Sequence, residues 1–243
     1  MGCFERTICL NDNNLGNCML NMDLLEDGAN KLGIDLTTRH IDQFGLYYHE
    51  ILDGNRRTNL TRITDFEEMQ GLHFVDSLSV VAGLPGRMIY PNTTVIDIGS
   101  GAGLPGIPLK IAFPDIHLTL VESNGKKAEF LEHVIESLGI GDTIVVCSRA
   151  ETAAHISGLR ESFDLVVSRA VARLDILAEL TLPFCRVGRL AIAQKGDNVH
   201  DEVKSAASAI EALGGGEVTI TEIDLSYSDS MRTLVSIEKI EQT

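Results

Sequence analysis

The chain has 243 residues, of which 44% are hydrophobic, and a formal net charge of −15. This length and composition suffice to bury the core of one domain of ordinary size with an extension. The start lacks a basic segment followed by an apolar one, and no apolar run reaches the length of a membrane span, so secretion and membrane insertion are not expected. The acidic balance argues against broad, non-specific binding of nucleic acid, but it allows a local basic face.

Cysteine usage indicates a reducing environment. The five cysteines are odd in number, scattered and without Cys-x-x-Cys spacing: Cys3, Cys9, Cys18, Cys147 and Cys185. We therefore expect a cytoplasmic protein with no structural zinc and no other bound metal.

The first 21 residues show neither helical nor strand periodicity and are rich in asparagine. They are predicted to form a disordered leader, or to precede a natural start at Met19 or Met22.

Residues 22–90 have helical apolar spacing and are predicted to form an N-terminal helical cap. Thr37 or Thr38 is placed to cap its second helix. Asp65, with Glu68 three residues later, resembles the start of a third helix.

A basic segment separates the second and third predicted helices. It contains Arg56, Arg57 and Arg62 and no acidic residue. In so acidic a chain this segment predicts a local positive patch, although solvated arginines at a helix end would give the same pattern.

The stretch that organises the remaining chain is an apolar run, residues 94–98, followed by Gly99, Gly101 and Gly103. A strand, a glycine-rich turn and a helix from Leu109 in that order form the first βα turn of a doubly wound sheet. Glycines at alternate positions predict a loop that wraps an adenosyl group. Asp97, within the strand, is placed to accept hydrogen bonds from loop amides or from an ammonium group.

The glycine spacing alone also fits a dinucleotide-binding fingerprint over residues 101–106. Pro105 and Pro108 favour a different ligand, because proline has no backbone N–H and a pyrophosphate site needs amides at the helix start. S-adenosylmethionine has no phosphate and does not need them. No Lys-Ser/Thr pair follows Gly106, which excludes the phosphate loop of nucleotide hydrolases.

The second predicted strand ends at Glu122. An acidic residue at this position is placed to bind both ribose hydroxyls of an adenosine. The alternative is a solvated helix cap, since Ser123-Asn124-Gly125 follows.

The chain after residue 91 alternates strands and helices and is predicted to form one α/β domain, residues 91–243. Predicted strands span residues 94–98, 116–121, 143–147, 163–167, 189–193, 217–225 and 232–240. Five buried parallel strands followed by a C-terminal antiparallel hairpin form the doubly wound, Rossmann-like sheet of class I, S-adenosylmethionine-dependent methyltransferases. A nicotinamide-binding sheet more often continues with parallel strands.

Several groups of residues together resemble one family. They are Asn55 with Asn59-Leu60-Thr61, His73 with Asp76-Ser77-Leu78, the run from Asp97 to Leu109, Lys126-Lys127 with Phe130-Leu131, and Ser168-Arg169-Ala170. From about Met22 to its end, the chain resembles the bacterial small-subunit ribosomal RNA guanine-N7 methyltransferases, also called glucose-inhibited division protein B. It departs from that family at Leu72, where arginine is common, and in the final hairpin, which keeps only Arg232 of a basic stretch.

The resemblance implies transfer of a methyl group from S-adenosylmethionine to N7 of a guanosine in 16S rRNA, near the decoding site. It implies cofactor contacts at Gly99, Leu104, Ala150, Glu151 and Arg169, with Glu122 on the ribose. Guanine N7 carries a free lone pair at neutral pH, so the reaction needs alignment and desolvation but no general base.

Arg169 is expected to shape the pocket at the end of the fourth strand and to contact the cofactor or the base. The alternative is a salt bridge from Arg169 to Glu122 or Glu151. His73 and Asn59 are expected to face the target base from the helical cap. For His73 the alternative is a structural partnership with Asp76.

The expected partner is 16S rRNA or the small ribosomal subunit, bound by a monomer. Candidate phosphate contacts are Arg56, Arg57, Arg62, Lys126, Lys127, Lys195 and Arg232. Two alternatives stay open: a methyltransferase for a small molecule, which the net charge favours, and a nicotinamide-dependent oxidoreductase.

Overall fold

The computed structural model describes residues 20–196, 199–224 and 231–243. Most of the predicted leader, with its three cysteines, lies outside these ranges. So do Leu225, the predicted end of the sixth strand, and the loop of the final hairpin.

Helices account for the first third of the described chain and then alternate with strands. They are α1 (Asp23–Lys31), α2 (Thr38–Asn55), α3 (Phe66–Met69), α4 (Asp76–Leu78), α5 (Gly106–Ala112), α6 (Gly125–Leu138), α7 (Ala150–Ala153), α8 (Leu174–Thr181) and α9 (Val199–Ala212). A π-helix (Gln70–Val75) joins α3 to α4, and a 3₁₀ turn (Ser79–Gly83) follows. None of the helices in the described ranges is long and apolar enough to cross a membrane.

Seven strands form one sheet. They are β1 (Thr94–Ile98), β2 (His117–Glu122), β3 (Thr143–Cys147), β4 (Phe163–Arg169), β5 (Cys185–Lys195), β6 (Gly215–Ile223) and β7 (Arg232–Lys239). The order across the sheet is β3-β2-β1-β4-β5-β7-β6. Strands β1 to β5 are parallel, whereas β7 runs antiparallel to both β5 and β6. The predicted α/β class and the C-terminal antiparallel hairpin are confirmed.

Three elements differ from the prediction. Strand β5 begins at Cys185 rather than Arg189, because its exposed first half, which includes Gly188, has no apolar pattern to mark it. Helix α8 was not predicted at all. Strand β3 is not buried as expected: it lies at the sheet edge, and Ile144 is 56% exposed.

The cap helices begin where their capping residues predict. The Thr37 side chain accepts a hydrogen bond from the His40 amide at the start of α2. The Asp65 carboxylate accepts one from the Glu68 amide at 3.0 Å, at the start of α3.

Alternate side chains of each strand face opposite layers. Val95 and Leu165 pack with the cap, α5 and α6, whereas Ile96 and Val166 pack with α7, α8 and α9. The cap therefore shares a hydrophobic core with one face of the sheet.

Candidate functional site

The site lies at the carboxyl edge of the parallel strands, where β1, β2, β3 and β4 all end. The loop after β1 is tied to β2, because the amides of Gly99 and Ser100 both donate to the Val121 carbonyl. In doubly wound sheets this edge is where ligands bind.

The three alternate glycines have different physical roles. All adopt positive φ, +72° at Gly99, +59° at Gly101 and +95° at Gly103. A Cβ at Gly99 would lie 2.8 Å from Val171, and one at Gly103 would overlap Ile107. A Cβ at Gly101 would meet nothing closer than 3.8 Å. Packing therefore requires two of the glycines, while Gly101 leaves open space for a ligand.

The backbone amides at the start of α5 are already engaged. The Gly106 amide donates to Oδ2 of Asp97 at 3.0 Å, and the Ile107 amide donates to a loop carbonyl at 2.7 Å. Pro105 and Pro108 have no amide hydrogen to offer. A pyrophosphate would find no donors here, so the geometry opposes the dinucleotide-binding alternative.

Asp97 is fully buried, and its second oxygen, Oδ1, has no hydrogen-bond partner in the described part of the chain. Burial raises the pKa of Asp97 to about 7, although the Gly106 amide and the Arg169 charge favour its ionised form. A buried carboxylate with a free oxygen would gain a partner from a cationic ligand such as an ammonium group.

Glu122 is buried and uses both oxygens. Oε2 accepts from the Gly101 amide at 2.9 Å and Oε1 from the Asn124 amide at 2.8 Å. The side chain that caps α6 is Asn124, which accepts from the amides of Lys126 and Lys127. The alternative of Glu122 as a solvated helix cap is therefore wrong. Each carboxylate oxygen keeps a second lone pair, to which a ribose hydroxyl could donate a hydrogen bond.

The remaining predicted cofactor contacts lie at the same edge. Helix α7 starts with Ala150 and Glu151 directly after β3, and the Ser148 amide donates to the Glu122 carbonyl at 3.1 Å. Ala150 is half-buried, Glu151 is exposed, and Leu104 is buried within the glycine loop.

Arg169, the last residue of β4, pairs with the cap. Its Nη1 donates to Oδ2 of Asp76 at 2.9 Å and to the Leu72 carbonyl at 3.1 Å, and its Nη2 lies 3.3 Å from Nδ1 of His73. The predicted alternative, a salt bridge to Glu122 or Glu151, is wrong. The acidic partner of Arg169 is Asp76.

His73 is buried in the π-helix, and its Nε2 lies 2.7 Å from the hydroxyl of Thr61. Burial, reinforced by the Arg169 charge, lowers the pKa of His73 to about 4, so the ring is neutral at pH 7. The alternative that paired His73 with Asp76 is also wrong, because both contact Arg169 rather than each other.

Asn59 is exposed in a loop that Asn55 organises. The Asn55 side chain donates to the Thr61 carbonyl at 3.0 Å and accepts from the Leu60 amide at 2.8 Å. Asn55 therefore shapes the loop that carries Asn59 and Thr61. Of these two residues, Thr61 contacts His73.

The seven basic candidates divide into two groups. Arg56 pairs with Asp53 at 2.9 Å, Lys195 with Glu202 at 2.7 Å, and Arg232 with Asp76. By contrast, four candidates make no ion pair with any described residue: Arg57, Arg62, Lys126 and Lys127. Arg149, immediately before α7, is exposed and is a fifth cation without an ion pair among the described residues; its role was not predicted from the sequence.

Two further residues were also missed. The hydroxyl of Tyr47, a buried residue of α2, donates to the Ala102 carbonyl in the glycine loop at 2.6 Å. Asp76 was noted only as a partner of His73, although it binds both Arg169 and Arg232. Nothing in the local sequence pattern of α2 indicates that Tyr47 makes a polar contact with the glycine loop.

A family model described as rRNA small subunit methyltransferase G matches residues 40–230. The ribosomal RNA small subunit methyltransferase G of Dehalococcoides mccartyi strain CBDB1 is 43% identical over 223 residues, 91% of this chain and 93% of that protein. The protein of that name from Roseiflexus sp. strain RS-1 is 44% identical over 222 residues, with the same coverage of both chains. The chain belongs to the rRNA small subunit methyltransferase G family.

The solved structures support the fold. A predicted O-methyltransferase from Agrobacterium tumefaciens, Atu636, matches with a TM-score of 0.54 at 16% identity, over 69% of this chain and 84% of its own. The sheet is therefore that of the class I methyltransferases, as predicted. Membership of a methyltransferase family opposes the oxidoreductase alternative.

Proposed function

We propose that this chain transfers a methyl group from S-adenosylmethionine to N7 of a guanosine in 16S rRNA, near the decoding site. Family membership supports the reaction class. The single structural observation that supports the choice of cofactor is which polar groups around the glycine loop already have hydrogen-bond partners. Its helix-start amides are engaged, and Oδ1 of the buried Asp97 carboxylate has no partner in the described chain; this arrangement suits a cationic ligand and not a phosphate.

These residues fit the cofactor. Asp97 would meet its ammonium group, the open face of Gly101 would admit its chain, and Glu122 would bind the ribose. Ala150 and Glu151, at the start of α7, would flank the adenine. The bound cofactor supplies a methyl group activated by its sulfonium sulfur.

The protein's own contribution is alignment. N7 of guanine has a lone pair in place, and His73 is a weak base because burial lowers its pKa to about 4. Fixed orientation and exclusion of water can contribute about 7–11 kcal/mol to such a reaction. Arg169 and His73 would hold the base against the cofactor, and Asn59 would contact it from the exposed loop.

The basic rim, defined as Arg57, Arg62, Lys126, Lys127 and Arg149, supports an RNA substrate. Despite the net charge of −15, these side chains have no acidic partner among the described residues. Arg57 and Arg62 lie in the cap loop, Lys126 and Lys127 in the first turn of α6, and Arg149 immediately before α7. Unpaired cations next to the site suit phosphate contacts. The net charge remains the observation that favours a small-molecule substrate.

The test is methylation of small ribosomal subunits and of free 16S rRNA from cells that lack this gene, with isotopically labelled S-adenosylmethionine. We expect label in a single 7-methylguanosine, located by cleavage at the modified base. Label only in a small-molecule extract would favour the alternative substrate class. We also expect a cytoplasmic monomer, which light scattering of the purified protein would check.

A further inference from the structure

A single buried carboxylate joins the cap to two strands of the sheet. Oδ2 of Asp76, in α4, accepts from Nη1 of Arg169 at 2.9 Å, and Oδ1 accepts from Nε of Arg232. Asp76 is fully buried, while the arginines stand at the end of β4 and the start of β7. The two contacts connect residues 93 and 156 positions apart in the chain.

The backbone of Asp76 is fixed as well. Its carbonyl accepts hydrogen bonds from the amide side chain of Gln194 at 2.5 Å and from the hydroxyl of Ser79 at 2.6 Å. Gln194 lies beside Arg169 in the register of β4 and β5. Asp76 is therefore held against the strand ends by contacts that do not depend on its own charge.

The contacts of Arg169 leave part of its guanidinium free. Such a group has five N–H donors. Both donors of Nη1 are directed to the cap, to Asp76 and the Leu72 carbonyl, and Nη2 lies beside His73. Nδ1 of His73 also lies 3.0 Å from the Leu72 carbonyl, to which it can donate. Within the described residues, Nε–H and at least one donor of Nη2 have no acceptor, and the side chain is 14% exposed. Two adjacent donors match a carboxylate or a carbonyl oxygen.

We propose that Asp76 is a positioning residue for methyl transfer, which fixes Nη1 of Arg169 so that the two remaining donors meet the cofactor or the guanine. The inference rests on the proposed function, in which Arg169 contacts these groups. Asp76 acts only through Arg169. Arg232 forms an ion pair with the other oxygen of the same carboxylate and is not needed to orient Arg169.

The test is a double-mutant cycle of Asp76→Asn and Arg169→Lys, measured as rRNA methylation. Asparagine keeps the size of Asp76 but cannot anchor the guanidinium as an ion pair, and lysine lacks the paired donors. We expect D76N to lower kcat by about 30-fold, equivalent to about 2 kcal/mol, with little change in the KM for RNA. In the R169K background, D76N should cause no further loss. An equal loss in both backgrounds would overturn the inference.

Two further variants separate positioning from structural support. Arg232→Gln keeps the Asp76–Arg169 pair and should retain most of kcat. The D76N variant leaves Arg169 and Arg232 without their shared carboxylate, and adding Arg232→Gln removes the excess positive charge that results. Recovery of kcat in that double variant would show that Asp76 only neutralises charge, and would also overturn the inference.

The matched control is Asp164→Asn, which removes another carboxylate that holds two arginines, Arg186 and Arg189, at the opposite end of β4. It should lower the melting temperature but leave kcat unchanged in assays below the melting temperature of every variant. If the wild-type protein itself methylates no rRNA, the proposed function fails, whatever the role of Asp76.

Discussion

The two ends of β4 carry the same arrangement of charges in different surroundings. At the amino end, Asp164 pairs with Arg186 and Arg189, whose side chains are 48% and 54% exposed. At the carboxyl end, Asp76 pairs with Arg169 and Arg232, and the carboxylate is completely buried. One strand therefore separates a solvated cluster from an enclosed one.

The difference follows from where each cluster lies in the fold. Asp164 also accepts from the amide and hydroxyl of Thr94, so it ties β4 to β1 and β5. Burial opposes its ionisation, but Thr94 and the arginines outweigh burial and hold the pKa of Asp164 below its ordinary value. At the carboxyl end the acidic partner comes from the cap, and one arginine keeps free donors. The amino end stabilises the sheet, and the carboxyl end serves the site.

The largest expected effect comes from removing Arg169 at the carboxyl end, and removal of Arg189 at the amino end is its control. Arg169→Ala should lower kcat/KM for rRNA by more than about 100-fold, because it removes the donors that align the substrate. Arg189→Ala should change kcat/KM by less than about threefold, because an exposed ion pair contributes at most about 1 kcal/mol to stability. Steady-state methylation assays measure both. Equal losses in the two variants would remove the functional distinction between the ends.

The sequence predicted the elements of the sheet far better than the contacts that join the ends of its strands. The apolar runs of β1 and β2 and the glycines after β1 are local patterns, so they were visible without a structure. The pairing of Arg169 with Asp76 depends on how the cap folds over the sheet, and no local pattern encodes it. For the same reason, Lys195 and Arg232 were taken for free cations, although each has an acidic partner in the folded chain.

The second prediction concerns pH at the carboxyl end. Since burial raises the pKa of Asp97 to about 7 from its ordinary value of 3.8, the folded state binds its proton more tightly than the unfolded state does. This contribution to stability is fully present below about pH 3.8 and is lost as the pH rises through about 7. Asp97→Asn should remove this dependence from denaturant unfolding measured across the range. Asp164→Asn should leave this pH dependence of stability unchanged.

Ligand binding should strengthen with rising pH, whereas stability falls, because a cationic ligand requires Asp97 in its ionised form. Binding of S-adenosylhomocysteine, whose amino acid portion carries an ammonium group, should strengthen in the wild-type protein as the pH rises through 7. Calorimetry of Asp97→Asn should show weaker binding with a smaller dependence on pH. Identical pH profiles for the two proteins would exclude Asp97 as the ammonium partner.

The third prediction concerns the cap where it supports the glycine loop. Tyr47→Phe removes the donor to the buried Ala102 carbonyl, which should cost about 1–3 kcal/mol of unfolding free energy and weaken S-adenosylhomocysteine binding. Its neighbour gives the control: Tyr48 packs against Phe66, and its hydroxyl makes no hydrogen bond within the described chain. Tyr48→Phe should change neither property. A binding constant unaffected by Tyr47→Phe would show that the loop holds its shape without the cap.

The smallest expected effect distinguishes the basic rim from the cations of the amino end. Each phosphate contact to single-stranded RNA contributes about 0.7 to the slope of log affinity against log salt concentration. Arg149→Gln and Lys126→Gln should each reduce the slope by about that amount, because neither residue has an acidic partner in the described ranges. Arg186→Gln should leave the slope unchanged, since Arg186 is paired with Asp164 far from the site. Filter binding at several salt concentrations measures all three variants. An equal reduction by Arg186→Gln would show that RNA spans both ends of β4, and the functional division between them would then fail.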